Sequence, residues 1–161
     1  MNVNARLDEQ AYFVQASAIG ALTTTVGDTT YVSMKNYARA SIIIDVTNAT
    51  TVTGGTVTLK QATAVAGTGE KALGFTRMLS NIDVGAGQAL TETSVSSNTF
   101  TTDTTNSKRL RYVIDVPAED LDAANSFDCL RVDVTGMANA TGQVSYILYG
   151  AKFSGASPMA D

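Results

Sequence analysis

The stretch KRLRYVIDV, Lys108 to Val116, puts Leu110, Tyr112, Ile114 and Val116 on one side of an extended chain and Arg109, Arg111 and Asp115 on the other. Side chains of a β-strand alternate between its two faces, so this pattern predicts a strand with one buried face. The same period recurs on both sides of it. In ASIIIDVT (40–47), Ile42, Ile44 and Val46 oppose Ile43, Asp45 and Thr47; in TVTLKQATAV (56–65), Val57 and Leu59 oppose Thr58 and Lys60. Between Phe127 and Thr135, Leu130, Val132 and Val134 oppose Arg131 and Asp133. QVSYILYGAKF (143–153) differs, because Ile147, Tyr149, Ala151 and Phe153 make its second face apolar as well. A strand apolar on both faces is central in its sheet or covered by a partner subunit.

The intervening segments read as loops: Asn48 to Gly55, Gly67 to Glu70, Asp83 to Gln88, Gly136 to Gly142, and a turn over 23–30 containing Gly27-Asp28. Ala11 to Leu22 fits a strand or a short helix. Lys71 to Ile82 reads as a strand kinked near Gly74. Thr91 to Thr105 is almost all threonine and serine, with Val95 and Phe100 as its apolar points, and predicts an edge strand or an ordered loop. Pro117 followed by Glu119 and Asp120 marks a helix start, hence one short helical turn near 118–124. About eight strands with turns between them predict an all-β, antiparallel β-sandwich of jelly-roll-like form. The expected division is an N-terminal arm or first strand at 1–25, a sandwich domain at 26–153 and a C-terminal tail at 154–161.

Composition narrows the chemistry. The chain has 161 residues, a length that suits one domain. It has no histidine and no tryptophan, which removes the usual general base, the Ser/His/Asp triad and the ordinary His/Cys zinc site. Net charge is −4 with only 16% charged residues, so no cationic footprint for nucleic acid is expected. The largest basic group, Lys108-Arg109-Arg111, reads as the solvent face of a strand. The single cysteine, Cys129, forbids an intrachain disulfide and reads as an inert strand residue. The first fifteen residues lack the pattern of a signal peptide, and no apolar run reaches the roughly 20 residues that span a bilayer. The expectation is a protein made in a cytoplasm, with no membrane partner.

Four motifs were weighed for function. Gly67 to Lys71 (GTGEK) lacks the full phosphate-loop pattern and its strand–loop–helix context, so it reads as a hairpin turn. Asp115, Glu119, Asp120 and Asp122 offer oxygen ligands for calcium but no EF-hand spacing, and read as a solvated acidic connection. Tyr31, Tyr37, Tyr112, Tyr146 and Tyr149 read as core or interface. The sequons at Asn48 and Asn139 are assigned no glycan. No catalytic, cofactor-binding or metal-binding residue is assigned, and no cofactor is expected.

Three stretches carry a resemblance: Lys35–Val46 (KNYARASIIIDV), Thr58–Arg77 (TLKQATAVAGTGEKALGFTR) and Thr91–Ala151, which includes SNTFTTDTTNSKRLRYVIDVPAEDLDAANSFDCLRVDVTGMANATGQVSYILYGA. Together the chain resembles the small virion proteins encoded near the major capsid gene in tailed bacteriophages and prophages. The resemblance implies a capsid decoration, or cement, protein without enzymatic activity. Its partners would be the major capsid protein and itself, as a dimer or trimer. Its place would be the capsid exterior, after assembly in a host bacterial cytoplasm. Residues 1–25 and 91–105 are the expected intersubunit contacts. Competing readings are another virion component (tail tube, connector or fibre base) and a carbohydrate-binding β-sandwich.

Overall fold

The computed structural model describes residues 10–23 and 31–151. Twelve strand segments run in chain order: β1 Ala11–Gln15, β2 Gly20–Ala21, β3 Val32–Ser33, β4 Arg39–Asn48, β5 Thr56–Ala62, β6 Lys71–Ala72, β7 Phe75–Asn81, β8 Thr91–Ser97, β9 Thr99–Thr101, β10 Arg109–Pro117, β11 Cys129–Thr135 and β12 Ala140–Tyr149. They form two antiparallel sheets. The large sheet has the order β1-β12-β4-β10-β7-β8, with β2 also on β12; the small one has β3-β11-β5-β6, with β9 on β5.

The centre of the large sheet is the ladder β12-β4-β10. Ile44 lies opposite Tyr112 on one side and Val144 on the other, and Ile42 lies between Ile114 and Tyr146. These side chains are all on the inner face and at most 2% exposed. They meet Val57 and Leu59 of β5 and Leu130, Val132 and Val134 of β11 in one core. Full burial of a side chain of this size is worth about 1.5–3 kcal/mol, so this row contributes strongly to closing the sandwich.

The strand count exceeds the expected eight because the chain repeatedly changes sheets, and each crossing breaks a run. The kink expected near Gly74 is such a crossing: β6 belongs to the small sheet and β7 to the large one. The threonine-rich stretch divides in the same way. β8 is the edge of the large sheet, and β9 pairs with β5 in the small one. Phe100 of β9 packs between Phe75 and Tyr112, with ring centroids 6.3 and 5.1 Å away. Ala11–Gln15 is a strand, not a helix. The single helical turn expected near 118–124 is two 3-10 turns, Ala118–Asp120 and Ala123–Asn125, and a third lies at Val84–Ala86. The expected domain boundaries near 25 and 153, the turn residues Gly27-Asp28 and the C-terminal tail lie outside the described residues.

Two tyrosines of the large sheet tie distant backbone to it. The Tyr146 hydroxyl accepts a hydrogen bond from the Val132 N–H of β11 at 2.9 Å, across the core. The Tyr112 hydroxyl accepts from the Asp103 N–H at 2.7 Å and anchors the loop after β9. Tyr146 is wholly buried, and burial raises its pKa well above the usual phenol value. It therefore stays neutral.

Removing the hydroxyl in Tyr146→Phe leaves a buried N–H without its partner, and urea unfolding is expected to show a loss of about 1–3 kcal/mol. Gly142 is required by close approach: a Cβ there would stand 2.4 Å from the Asp45 carbonyl oxygen and 2.9 Å from Leu22 Cδ1. Gly142→Ala should cost about 1–3 kcal/mol or more in the same measurement.

Candidate functional site: the two outer faces

The outer face of the small sheet is sealed. Arg131 and Asp133 of β11 project outward beside Lys60 of β5, and the turn at 67–70 folds Glu70 over them. Lys60 Nζ lies 2.6 Å from Glu70 and 3.1 Å from Asp133; Arg131 lies 3.1 Å from Glu70 and 2.8 Å from Asp133. Tyr31 covers the cluster. Its hydroxyl donates to Glu70 Oε2 at 2.5 Å, and its ring lies under the Arg131 guanidinium at 4.7 Å. Only glycine suits position 67, where φ is +84° and a Cβ would press on the Tyr31 ring at 3.1 Å. That is the local reason for the GTGEK turn, and no helix follows it. Cys129, also outward on β11, is fully buried beneath Tyr31 together with Ala62.

The outer face of the large sheet is open. Its register places outward side chains in rows. Phe13 lies opposite Ile147, and Ile43 lies opposite Ser145 and Val113, which in turn faces Leu79. An oblique apolar band therefore crosses β1, β12, β4, β10 and β7. Phe13 is 54% exposed, and Ile147, Ile43, Val113 and Leu79 are half-buried. Acid–base pairs frame the band: Arg39–Asp115 at 2.6 Å, Arg111–Asp45 at 2.7 Å and Arg77–Glu92 at 3.1 Å. Ser41 Oγ donates to Asp115 at 2.8 Å. Three open hollows of about 610, 600 and 210 Å³ indent this face, and Asp115 walls all three.

The Asp115 carboxylate is tied to the Arg39 guanidinium and accepts the hydrogen bond of the Ser41 hydroxyl. No cluster of three or more His, Cys, Asp or Glu side chains that could hold a metal ion occurs among the described residues. Of the acidic residues at 115–122, Asp115 and Asp120 line one hollow, but the group as a whole is divided. Asp115 joins Arg39, whereas Asp122 joins Lys71 and Asn125. The basic group separates likewise: Lys108 pairs with Asp83, Arg111 pairs with Asp45, and Arg109 is exposed. Both sequon asparagines have committed amides. Asn48 is buried and donates to the carbonyls of Asp103 and Thr105, and Asn139 donates to that of Thr51.

Four of the five singled-out tyrosines, Tyr31, Tyr37, Tyr112 and Tyr146, are buried, while Tyr149 stands half-exposed on the open face. Of the expected contact segments, 91–97 is a solvent-exposed edge strand. The described part of 1–25 is not a free arm: β1 and β2 pair with β12, and Val14 and Leu22 enter the core. The apolar band has signals in the sequence at Ile43, Val113 and Ile147, but only the order of strands makes them neighbours.

No family model matches the chain, and no curated protein matches it. Among solved structures, the SPBc2 prophage-derived protein YomS aligns at 10% identity, with a TM-score of 0.46, over 87% of this chain and 93% of that one. A chain of infectious bursal disease virus, Gx strain, aligns at 7% identity, with a TM-score of 0.36, over 94% of this chain and 35% of that one.

The sealed face has a defined acid sensitivity. The hydrogen bond from Lys60, then that from Tyr31, holds the Glu70 carboxyl below its ordinary value of 4.5. A depressed carboxyl stabilises the fold fully above the unfolded value and loses that contribution as pH falls through the folded one. Urea midpoints measured from pH 6 down to pH 2 should fall more steeply below about pH 4.5 for wild type than for Glu70→Gln, which has no such proton to take up.

Proposed function

We propose that this protein is a non-enzymatic structural component of a tailed-phage virion. It decorates and stabilises the capsid by laying the outer face of its large sheet across neighbouring major capsid subunits. The observation that carries this reading is the asymmetry of the two outer faces. One is closed by Tyr31 and an ion-paired cluster, and the other leaves Phe13, Ile147, Ile43, Val113 and Leu79 uncovered among the described residues. An apolar strip rimmed by internally neutralised charges suits a protein partner, because its burial removes apolar surface from water without stranding an unpaired charge. The resemblance of three sequence stretches to small virion proteins points the same way. A capsid presents the partner surface many times, so modest contacts at each site suffice for stable coating.

The test mixes the purified protein with undecorated, expanded capsids and reads co-sedimentation together with the heat resistance of the particle. Wild type should bind and raise the temperature at which capsids rupture. Val113→Asp/Ile147→Asp, which alters outward positions only, should stay folded by circular dichroism and bind at least about tenfold more weakly. Equal binding by the double variant, or no binding by wild type, refutes the assignment.

A further inference from the structure

The buried apolar residues fall into two clusters. Beside the main core between the sheets stands a small one on the outer side of the small sheet: Tyr31, Ala62 and Cys129, with Val65 partly buried against it. It is layered. Ala62 and Cys129 are cross-strand partners on β5 and β11, wholly buried although they face away from the main core. Tyr31 lies over them, and the turn at 63–70 lies over Tyr31. The Tyr31 N–H donates to the Val65 carbonyl at 3.0 Å. The turn is otherwise bonded to itself, from the Thr63 N–H to the Thr68 carbonyl and from the Gly67 N–H to the Ala64 carbonyl, both at 2.9 Å. It runs on into β6, which has only two residues. Its ionic hold on the sheet is Glu70. One carboxylate oxygen accepts from Lys60 at 2.6 Å; the other accepts from Tyr31 at 2.5 Å and from Arg131 at 3.1 Å.

We propose that the 63–70 turn is an acid-released lid: protonation of Glu70 frees the turn and Tyr31 from the sheet and uncovers Cys129, while the main core stays folded. One carboxylate serves three partners, and all three are donors that its anionic form suits best. Once it is neutral, Lys60 and Arg131 are left with Asp133 as their remaining acid, two positive charges against one on the same patch. No neighbouring acid replaces it. Asp122 is engaged by Lys71, the residue after Glu70, and Asp128 accepts from the Cys129 thiol at 3.2 Å. The sign follows from the depressed Glu70 carboxyl. Closure is fully present above the ordinary carboxyl value and is lost as pH falls through the lower value of the closed lid. The opening is local because Tyr31, Ala62 and Cys129 form a cluster apart from the main core, and the turn can lift without breaking the β5–β11 pairing.

The lid is on the face opposite the proposed capsid contact, and its opening is independent of that reading. Cys129, the one cysteine of the chain, reports it directly. The full chain is labelled with 4,4′-dithiodipyridine, which reacts with thiols in acid as well as at neutrality. Each rate is divided by that of the same chain unfolded in urea at the same pH. From pH 6 down to pH 3 the normalised rate should rise at least about tenfold while the far-UV circular dichroism is unchanged. Urea below the unfolding transition should leave the rate nearly constant, because a local opening exposes little surface. Glu70→Gln, which has no proton to take up, should already label at least about tenfold faster than wild type at pH 6 and show no step with pH. A rate that stays flat with pH, a rate that rises only with loss of the far-UV signal or in step with urea, or a Glu70→Gln protein as protected at pH 6 as wild type overturns the inference.

Discussion

The ladder β12-β4-β10 is the constraint on which the rest of the molecule depends. Its inner row (Ile42, Ile44, Tyr112, Ile114, Val144 and Tyr146) is buried against β5 and β11. Strand side chains alternate with a period of two, so a slip of one residue in β4 or β10 would exchange this row for Ser41, Asp45, Arg111 or Asp115. Arginine and aspartate in the core, without solvent and without their present partners, would cost far more than any alternative packing could return. The register is thereby set, and with it everything on the opposite face. Ion pairs such as Arg111–Asp45 and Arg39–Asp115 are consequences of that registration, since each joins residues brought together by the β4–β10 pairing. They are half-exposed and individually worth little.

The same alternation leaves the molecule with two unequal exteriors. On the small sheet, outward Lys60, Arg131 and Asp133 would be a charged surface, but the 67–70 turn and Tyr31 fold back over them and Glu70 pairs with Lys60 and Arg131. On the large sheet no segment folds back among the described residues. β12, apolar on both faces, lies between β1 and β4 and presents Ile147 and Tyr149 outward. The three hollows of this face meet at Asp115, whose oxygens are engaged by Arg39 and Ser41.

Much of the fold was legible from period and composition. Val57 with Leu59, Ile42 with Ile44, Leu110 with Tyr112 and Leu130 with Val132 all point inward as their alternation predicts. The absence of long helical periodicity correctly indicated an all-β sandwich. The misreadings share a cause. Strand counts, the split of Lys71–Asn81 at Gly74, and the division of the threonine-rich stretch between β8 and β9 all concern where the chain leaves one sheet for the other. A crossing has no local signature beyond a glycine or a polar residue, because the decision is made by which sheet offers an open edge. The choice between arm and first strand at the N-terminus was open for a similar reason: Val14 and Leu22 are ordinary apolar residues until β12 is seen to present an edge to them.

By itself the sequence determined which side chains would be inside, because burial follows from polarity and the two-residue period of an extended chain. It also determined that histidine-based chemistry was absent. Which strands became neighbours was decided only by the tertiary structure. So were the contiguity of Phe13, Ile147, Ile43, Val113 and Leu79, the cover over Cys129, and the open state of β8. These are properties of pairing between segments from opposite ends of the sequence, as in the opposition of Phe13 and Ile147. Pairing at that distance is chosen by the global packing of two sheets, for which no local run of residues carries the information.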